Sequence, residues 1–126
     1  MMRLTEHSIK SLAKLGDAIV NFLASALLTL HAGLPKGVKV ADKLLREVAV
    51  EEGLHRRGSL GPEDLFEALV GYAWLKGVKV ECMLEVMYRS ALGAESEGEA
   101  LRRGLAALLR DILQNDWAND VVRGKG

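Results

Sequence analysis

The chain has 126 residues, a formal net charge of zero and 49% hydrophobic residues. This length favours one domain, which would bury roughly two-thirds of its unfolded surface. The composition excludes a disordered or collagen-like chain, and the balanced charge argues against a basic coat for nucleic acid, although it allows a local basic patch. The single cysteine, Cys82, excludes a disulfide framework and a cysteine-rich zinc site. We therefore expect a cytoplasmic protein.

Five helices are predicted, because apolar residues recur at three- and four-residue steps along most of the chain. The expected ranges are 5–32, 41–53, 62–77, 80–92 and 97–113. Thr5 can cap the first helix, Gly33 and Pro35 end it, and Pro62 fits the first turn of the third. We expect the polar tail to fray beyond Trp117. The sequence thus predicts an all-α fold with five or more helices, as one compact domain over 1–116 and a polar tail over 117–126.

The most apolar stretch covers residues 18–34 and contains Asn21, Ser25, Thr29 and His31. These polar residues leave it short of the about 20 continuous apolar residues that a membrane span needs. We therefore interpret it as a buried helix and expect no membrane association. The small number of amide side chains hints at a thermophilic source.

Three carboxylates are candidates for a metal site. Asp17 lies in the middle of the most apolar helix, where aspartate is a poor helix former and an unpaired buried charge is costly. Gly16 beside it would let another helix approach closely. Asp64 and Glu67 are three residues apart and project from one face of the third helix. Together these side chains suit Mg²⁺ or Mn²⁺, whereas an ordinary acidic first turn is the alternative for Asp64 and Glu67.

Two segments resemble one known family. Residues 14–19, KLGDAI, resemble the leucine-glycine-aspartate core of the ribonuclease III signature, and residues 63–71, EDLFEALVG, resemble its second motif. The resemblance covers residues 8–92 and is closest in layout to the mini-ribonuclease III branch, which lacks a double-stranded-RNA-binding domain. It implies an all-helical, homodimeric endonuclease domain that cleaves double-stranded RNA with Mg²⁺ and leaves 5′-phosphate and 3′-hydroxyl ends.

By motif position, the resemblance implies that Asp17, Asp64 and Glu67 bind metal and act in catalysis. The chain departs from the family where two glutamates are replaced by Ala13 and Lys10. The mini-ribonuclease III branch also has a small residue at the first of these positions.

The first helix is the expected dimer interface, because it is apolar on more than one side. Ala13 and Gly16 are predicted to form a strip of small residues on which two backbones approach closely. Lys14 replaces the family's aromatic dimer contact. Glu63 is a candidate substitute for a missing glutamate, although it lies on a different helix face from Glu67.

The cations between the two motifs are candidates for RNA binding, since double-stranded RNA is recognised mainly through its backbone and 2′-hydroxyls. They are Lys39, Lys43, Arg46, Arg56 and Arg57. Solvated helix faces and loops are the alternative interpretation. Trp74 and Cys82 are expected to pack in the core.

These features predict a Mg²⁺- or Mn²⁺-dependent endoribonuclease that cleaves double-stranded RNA in RNA processing, with a ribosomal RNA precursor as one candidate substrate. The metal would activate water for in-line attack on a phosphodiester. No small-molecule cofactor is expected. The alternative, motivated by Ala13 and Lys10, is a catalytically inactive RNA-binding or ribosome-associated scaffold of the same fold. A plain helical interaction module is the third hypothesis.

Overall fold

Six α-helices and one 3₁₀ turn lie within residues 4–123, the part of the chain that the computed structural model describes. In chain order they are α1 (Glu6–Ala32), α2 (Asp42–Glu51), α3 (Pro62–Leu75), α4 (Val80–Ala91), α5 (Glu97–Leu113), the 3₁₀ turn (Asp116–Ala118) and α6 (Asn119–Val122). This range contains no β-strand beyond one isolated bridge between Arg57 and Leu60. The predicted all-α class is confirmed, and all five predicted helices are present.

The ends of α1 follow the predicted capping chemistry. The Thr5 hydroxyl accepts a hydrogen bond from the Ser8 amide at 3.1 Å, which satisfies a donor that the first helical turn leaves unpaired. Gly33 adopts a φ of 74°, and its amide donates to the Thr29 carbonyl at 2.9 Å. A residue with a β-carbon rarely adopts this left-handed conformation, so the glycine ends the helix at Ala32.

α3 is the central helix, and its most extensive contact is with α1. All of its residues from 65 to 73 are buried. Two glycines bring the backbones of α1 and α3 into direct contact. A β-carbon on Gly16 would lie 1.6 Å from the carbonyl oxygen of Glu67, and one on Gly71 would lie 2.6 Å from that of Leu12. The close approach expected at Gly16 is therefore real, and it places Asp17 beside Glu67.

This crossing corrects the prediction for the dimer interface. Ala13 and Gly16 were expected to contact a second copy, but both are buried within the chain. Because Gly16 faces the α3 backbone, it cannot also admit the backbone of another molecule. A contact between copies at α1 would have to use a different face of this helix.

The polar residues that interrupt the apolar stretch of α1 bind an extended segment, residues 36–40. The hydroxyls of Ser25 and Thr29 form hydrogen bonds with its backbone, and the side-chain oxygen of Asn21 accepts from the Val40 amide at 2.8 Å. Four-residue spacing puts these three side chains on one face of the helix. They hold the segment that leads into α2 against α1.

By length and composition alone, α1 could cross a membrane. A core helix passes the same test, and α1 packs against α3, α4 and α5 and contributes nine buried residues to the fold. The absence of a membrane span stays a prediction.

The end of the chain packs against the fold as far as residue 123. Val121 is fully buried, and its carbonyl accepts a hydrogen bond from the Arg57 guanidinium at 2.6 Å. The Tyr72 hydroxyl donates to Asp120 at 2.8 Å, and the Trp117 ring packs edge-on against Tyr72. The expectation of fraying beyond Trp117 is therefore wrong for residues 117–123, because long-range contacts hold this segment. Residues 124–126 of the expected tail lie outside the described range.

Candidate active site

A cavity of about 710 Å³ opens between α1, the start of α2 and the first half of α3. We call it the acidic cavity. It is lined by Lys10, Ala13, Lys14, Asp17, Lys39, Val40, Ala41, Asp42, Leu60, Asp64 and Glu67. All three predicted site carboxylates, Asp17, Asp64 and Glu67, thus line one cavity.

Glu67 is the buried member of this set. It is 7% exposed, and no other charged residue between 4 and 123 is buried. Burial, followed by a hydrogen bond with the Asp17 carboxyl group and by the charges of Asp17, Asp42 and Asp64, raises the pKa of Glu67 to about 8. Loss of solvent and nearby negative charge both favour the neutral acid. Without a cation, Glu67 is therefore mostly protonated at neutral pH and donates to Asp17.

Asp64 has a structural as well as a site role. One of its carboxylate oxygens, Oδ2, accepts a hydrogen bond from the Gly61 amide at 2.9 Å, which caps the start of α3. This bond fixes the position of the carboxylate at the cavity wall. The other oxygen, Oδ1, has the chemistry to bind a cation.

Two site residues were missed by the sequence analysis. Asp42, the first residue of α2, lines the cavity and raises the pKa of Glu67. Asn21 donates to Asp17 at 3.4 Å while its side-chain oxygen accepts from the Val40 amide. Asn21 thereby ties a site carboxylate to the segment before α2. A helix-starting aspartate was visible in the sequence, but only the path of residues 36–40 brings it to the cavity.

Glu63 does not substitute for a missing glutamate. The Arg46 guanidinium donates to both of its carboxylate oxygens, at 3.1 and 3.2 Å. The hydrogen bonds from this guanidinium lower the pKa of Glu63, and the residue is not part of the cavity lining. The hypothesis that it replaces a lost ligand is wrong.

Of the five cations predicted to bind RNA, one belongs to the lining of the acidic cavity. Lys39 lines the acidic cavity, but Arg46 is paired with Glu63 and Arg57 is bound to the C-terminal segment. Lys43 and Arg56 are exposed and do not line the cavity. By contrast, Lys10 and Lys14, which the sequence analysis treated only as departures from a motif, line the cavity.

The donor chemistry of the cavity fits a hard divalent cation. Carboxylate oxygens are the ligands that Mg²⁺ and Mn²⁺ prefer, and a cation would offset both the burial of Glu67 and the nearby negative charges that raise its pKa. Within residues 4–123, however, no three His, Cys, Asp or Glu side chains are already close enough to hold a metal. The cavity therefore contains suitable donor atoms, but they are not arranged as a complete coordination shell.

A second, apolar groove lies on another side of α1 and has a volume of about 510 Å³. Leu15, Ala18, Ile19, Phe22, Trp74, Val80, Glu81 and Leu84 line it. Phe22 is 56% exposed and Trp74 is 46% exposed. The expectation that Trp74 packs in the core is thus wrong, because this residue lies in the last turn of α3 with its side chain about half exposed. Cys82, on the neighbouring helix, is also exposed rather than in the core.

Fold and cavity together define an all-helical domain with a carboxylate site at the crossing of two helices. The model of the Ribonuclease III family matches residues 10–116, which is most of the chain. The chain therefore belongs to the ribonuclease III family, a family of RNA-processing nucleases. The mini-ribonuclease III layout is compatible with this match. No curated protein matches the sequence.

Proposed function

We propose that this protein is a divalent-cation-dependent endoribonuclease that cleaves double-stranded RNA, with Mg²⁺ or Mn²⁺ as its cofactor. The observation that carries the proposal is the meeting of Asp17 and Glu67 in a cavity formed by both motif-bearing helices. A buried carboxyl group with a strongly raised pKa beside a second carboxylate is typical of a functional site, since it costs folding stability. Family membership supports the same reaction class.

The proposed ligands are Asp17, Asp64 and Glu67, with Asp42 close enough to add negative charge. A bound cation would activate water for attack on the phosphodiester and stabilise the leaving oxygen. The chain itself positions the ligands. Asn21 holds Asp17, and the Gly61 amide holds Asp64, so both carboxylates are oriented before substrate arrives.

We further propose that the protein acts as a homodimer through the apolar groove. Exposed apolar patches of this kind mark interaction surfaces, and one site per chain requires two copies to cut both RNA strands. Leu15 and Ala18 line the groove, whereas their neighbours Lys14 and Asp17 line the acidic cavity. A second copy docked in the groove would therefore bring its own cavity next to this one.

The test is cleavage of a labelled RNA duplex with Mg²⁺ and with EDTA. We expect Mg²⁺-dependent cleavage by the wild type and by Glu95→Gln, a control with the same substitution at an exposed position. Glu67→Gln should be folded but should lose most of the activity. Wild-type rates in Glu67→Gln would contradict the assignment.

An inactive RNA-binding scaffold is the second candidate function. It is favoured by the lack of an assembled metal shell within the described range and by Ala13 and Lys10, which stand where the family pattern has glutamates. The same experiment separates the two functions. A wild-type protein that binds the duplex but leaves it intact with either Mg²⁺ or Mn²⁺ would support the scaffold.

A further inference from the structure

The acidic cavity is also lined by three lysines. Lys10 and Lys14 lie one turn apart on α1, and Asp17 follows at the next step on the same wall. Lys39 lines the cavity from the extended segment before α2. All three lysines are exposed at the mouth, whereas Glu67 lies buried at the floor.

These lysines do not form ion pairs with the carboxylates of the cavity. Among residues 4–123, the ion pairs involve Lys36 and five arginines, and none includes a lysine of the cavity. The cavity thus keeps its anionic donors and its ammonium groups separate. A site that bound only a cation would gain nothing from positive charge at its mouth, because like charges repel.

We propose that Lys10, Lys14 and Lys39 form a seat for backbone phosphate at the mouth of the acidic cavity, and that RNA binds there without any divalent cation. The proposal rests on the proposed function in taking RNA as the ligand. A lysine ammonium is a compact charge on a flexible stem, so it binds phosphate without reading sequence. Two walls of the cavity would hold the backbone while the carboxylates below it remain open to a metal.

The experiment measures affinity for a short fluorescent RNA duplex by anisotropy in EDTA, over a series of salt concentrations. Each lysine that contacts phosphate contributes about one to the slope of log affinity against log salt. The test variant is Lys10→Gln combined with Lys14→Gln. The matched control, Arg89→Gln with Arg123→Gln, removes the same charge from exposed positions outside the cavity.

We expect the wild type and the control to show the same slope of log affinity against log salt. The magnitude of this slope should be smaller by about two in the test variant. Lys39→Gln, which lies on a different segment of the chain, should reduce the magnitude of the slope by about one. Lys10→Arg combined with Lys14→Arg should keep the wild-type slope, because the charge is retained. No binding by the wild type in EDTA, or equal slopes for the test variant and the control, would overturn the proposal.

Folding and catalysis are measured separately. Glutamine is a good helix former and both α1 positions are exposed, so circular dichroism should show an intact helical fold. Cleavage by the wild type in Mg²⁺ tests the proposed function alone. If the wild type does not cleave but the lysine substitutions reduce the salt slope as expected, the nuclease function is rejected and the phosphate seat is supported. If the wild type cleaves but the lysine substitutions leave the salt slope unchanged, the phosphate seat is rejected and the nuclease function is supported.

Discussion

The acidic cavity and the apolar groove lie on two sides of the same helix, and they are held in different ways. The cavity is built by contacts within the chain, since Gly16 meets the α3 backbone and Asn21 binds the segment before α2. The groove leaves Phe22 and Trp74 half-exposed, and nothing within residues 4–123 covers them. α1 therefore organises a site on one side and offers an unpartnered surface on the other. Substitutions at each side should have separable effects on folding, catalysis and assembly.

The largest effect is expected from Gly16→Ala. Its new β-carbon would lie 1.6 Å from the Glu67 carbonyl oxygen, so α1 and α3 would have to separate. We expect a loss of at least about 3 kcal/mol in the free energy of unfolding, measured with urea.

Gly98→Ala is the matched control, because a β-carbon there meets nothing within 4 Å. This exposed helical position should gain about 0.5–1 kcal/mol. If Gly16→Ala is as stable as its control, the close crossing that builds the cavity does not exist in solution.

Glu67 should give the cavity a characteristic pH dependence. Its folded pKa, about 8, lies above the ordinary value of 4.5. As the pH rises, the unfolded chain releases this proton before the folded chain does. The stability contributed by the neutral acid is therefore fully present below the pKa of the unfolded chain, and it is lost as the pH rises through the pKa of the folded chain. In EDTA, the free energy of unfolding of the wild type should fall by roughly 3 kcal/mol more than that of Glu67→Gln between about pH 5 and 9.

Thermal unfolding of both proteins across this pH range provides the measurement, with Glu95→Gln as the exposed control. Adding Mg²⁺ should reduce the pH dependence of the wild type alone, since a cation competes with the proton for the carboxylates. Parallel stability curves for the wild type and Glu67→Gln would show that Glu67 is not buried beside Asp17.

The helices were predictable because their signals are local. Apolar spacing, Thr5 and Gly33 act within a few residues of each other, and the structure follows them. The three motif carboxylates were also predicted, although their shared cavity depends on the glycine crossing. The site role of Asp42 and the packing of Val121 were missed, because each depends on a partner far along the chain. Asn21 holds the segment 36–40 that leads to Asp42, and Arg57 binds the carbonyl of Val121.

Assembly tests the other side of α1. Replacing both Phe22 and Trp74 with serine should convert the proposed dimer to a monomer, because aromatic anchors in an interface contribute about 2 kcal/mol or more each. Both side chains are about half-exposed in the single chain, so the helical fold should persist. Light scattering coupled to gel filtration measures the mass.

Leu34→Ser is the control, since Leu34 is 64% exposed and lies outside the groove. It should leave the dimer intact. If the wild type is already a monomer at micromolar concentration, the groove is not a dimer interface and the two-copy mechanism for cutting both strands fails.

The smallest effect is expected from Asn21, which links the cavity to the segment before α2. Asn21→Ala removes the acceptor for the Val40 amide and the donor to Asp17. Losing such a hydrogen bond in a partly buried position costs about 1 kcal/mol of folding stability. Cleavage should fall further than this stability loss explains, because Asp17 loses its orientation. Ser25→Ala is the matched control, since it breaks the contact to the same segment at Val38 without touching a carboxylate. Equal activity in the two variants would mean that Asn21 holds the segment and does not position the site.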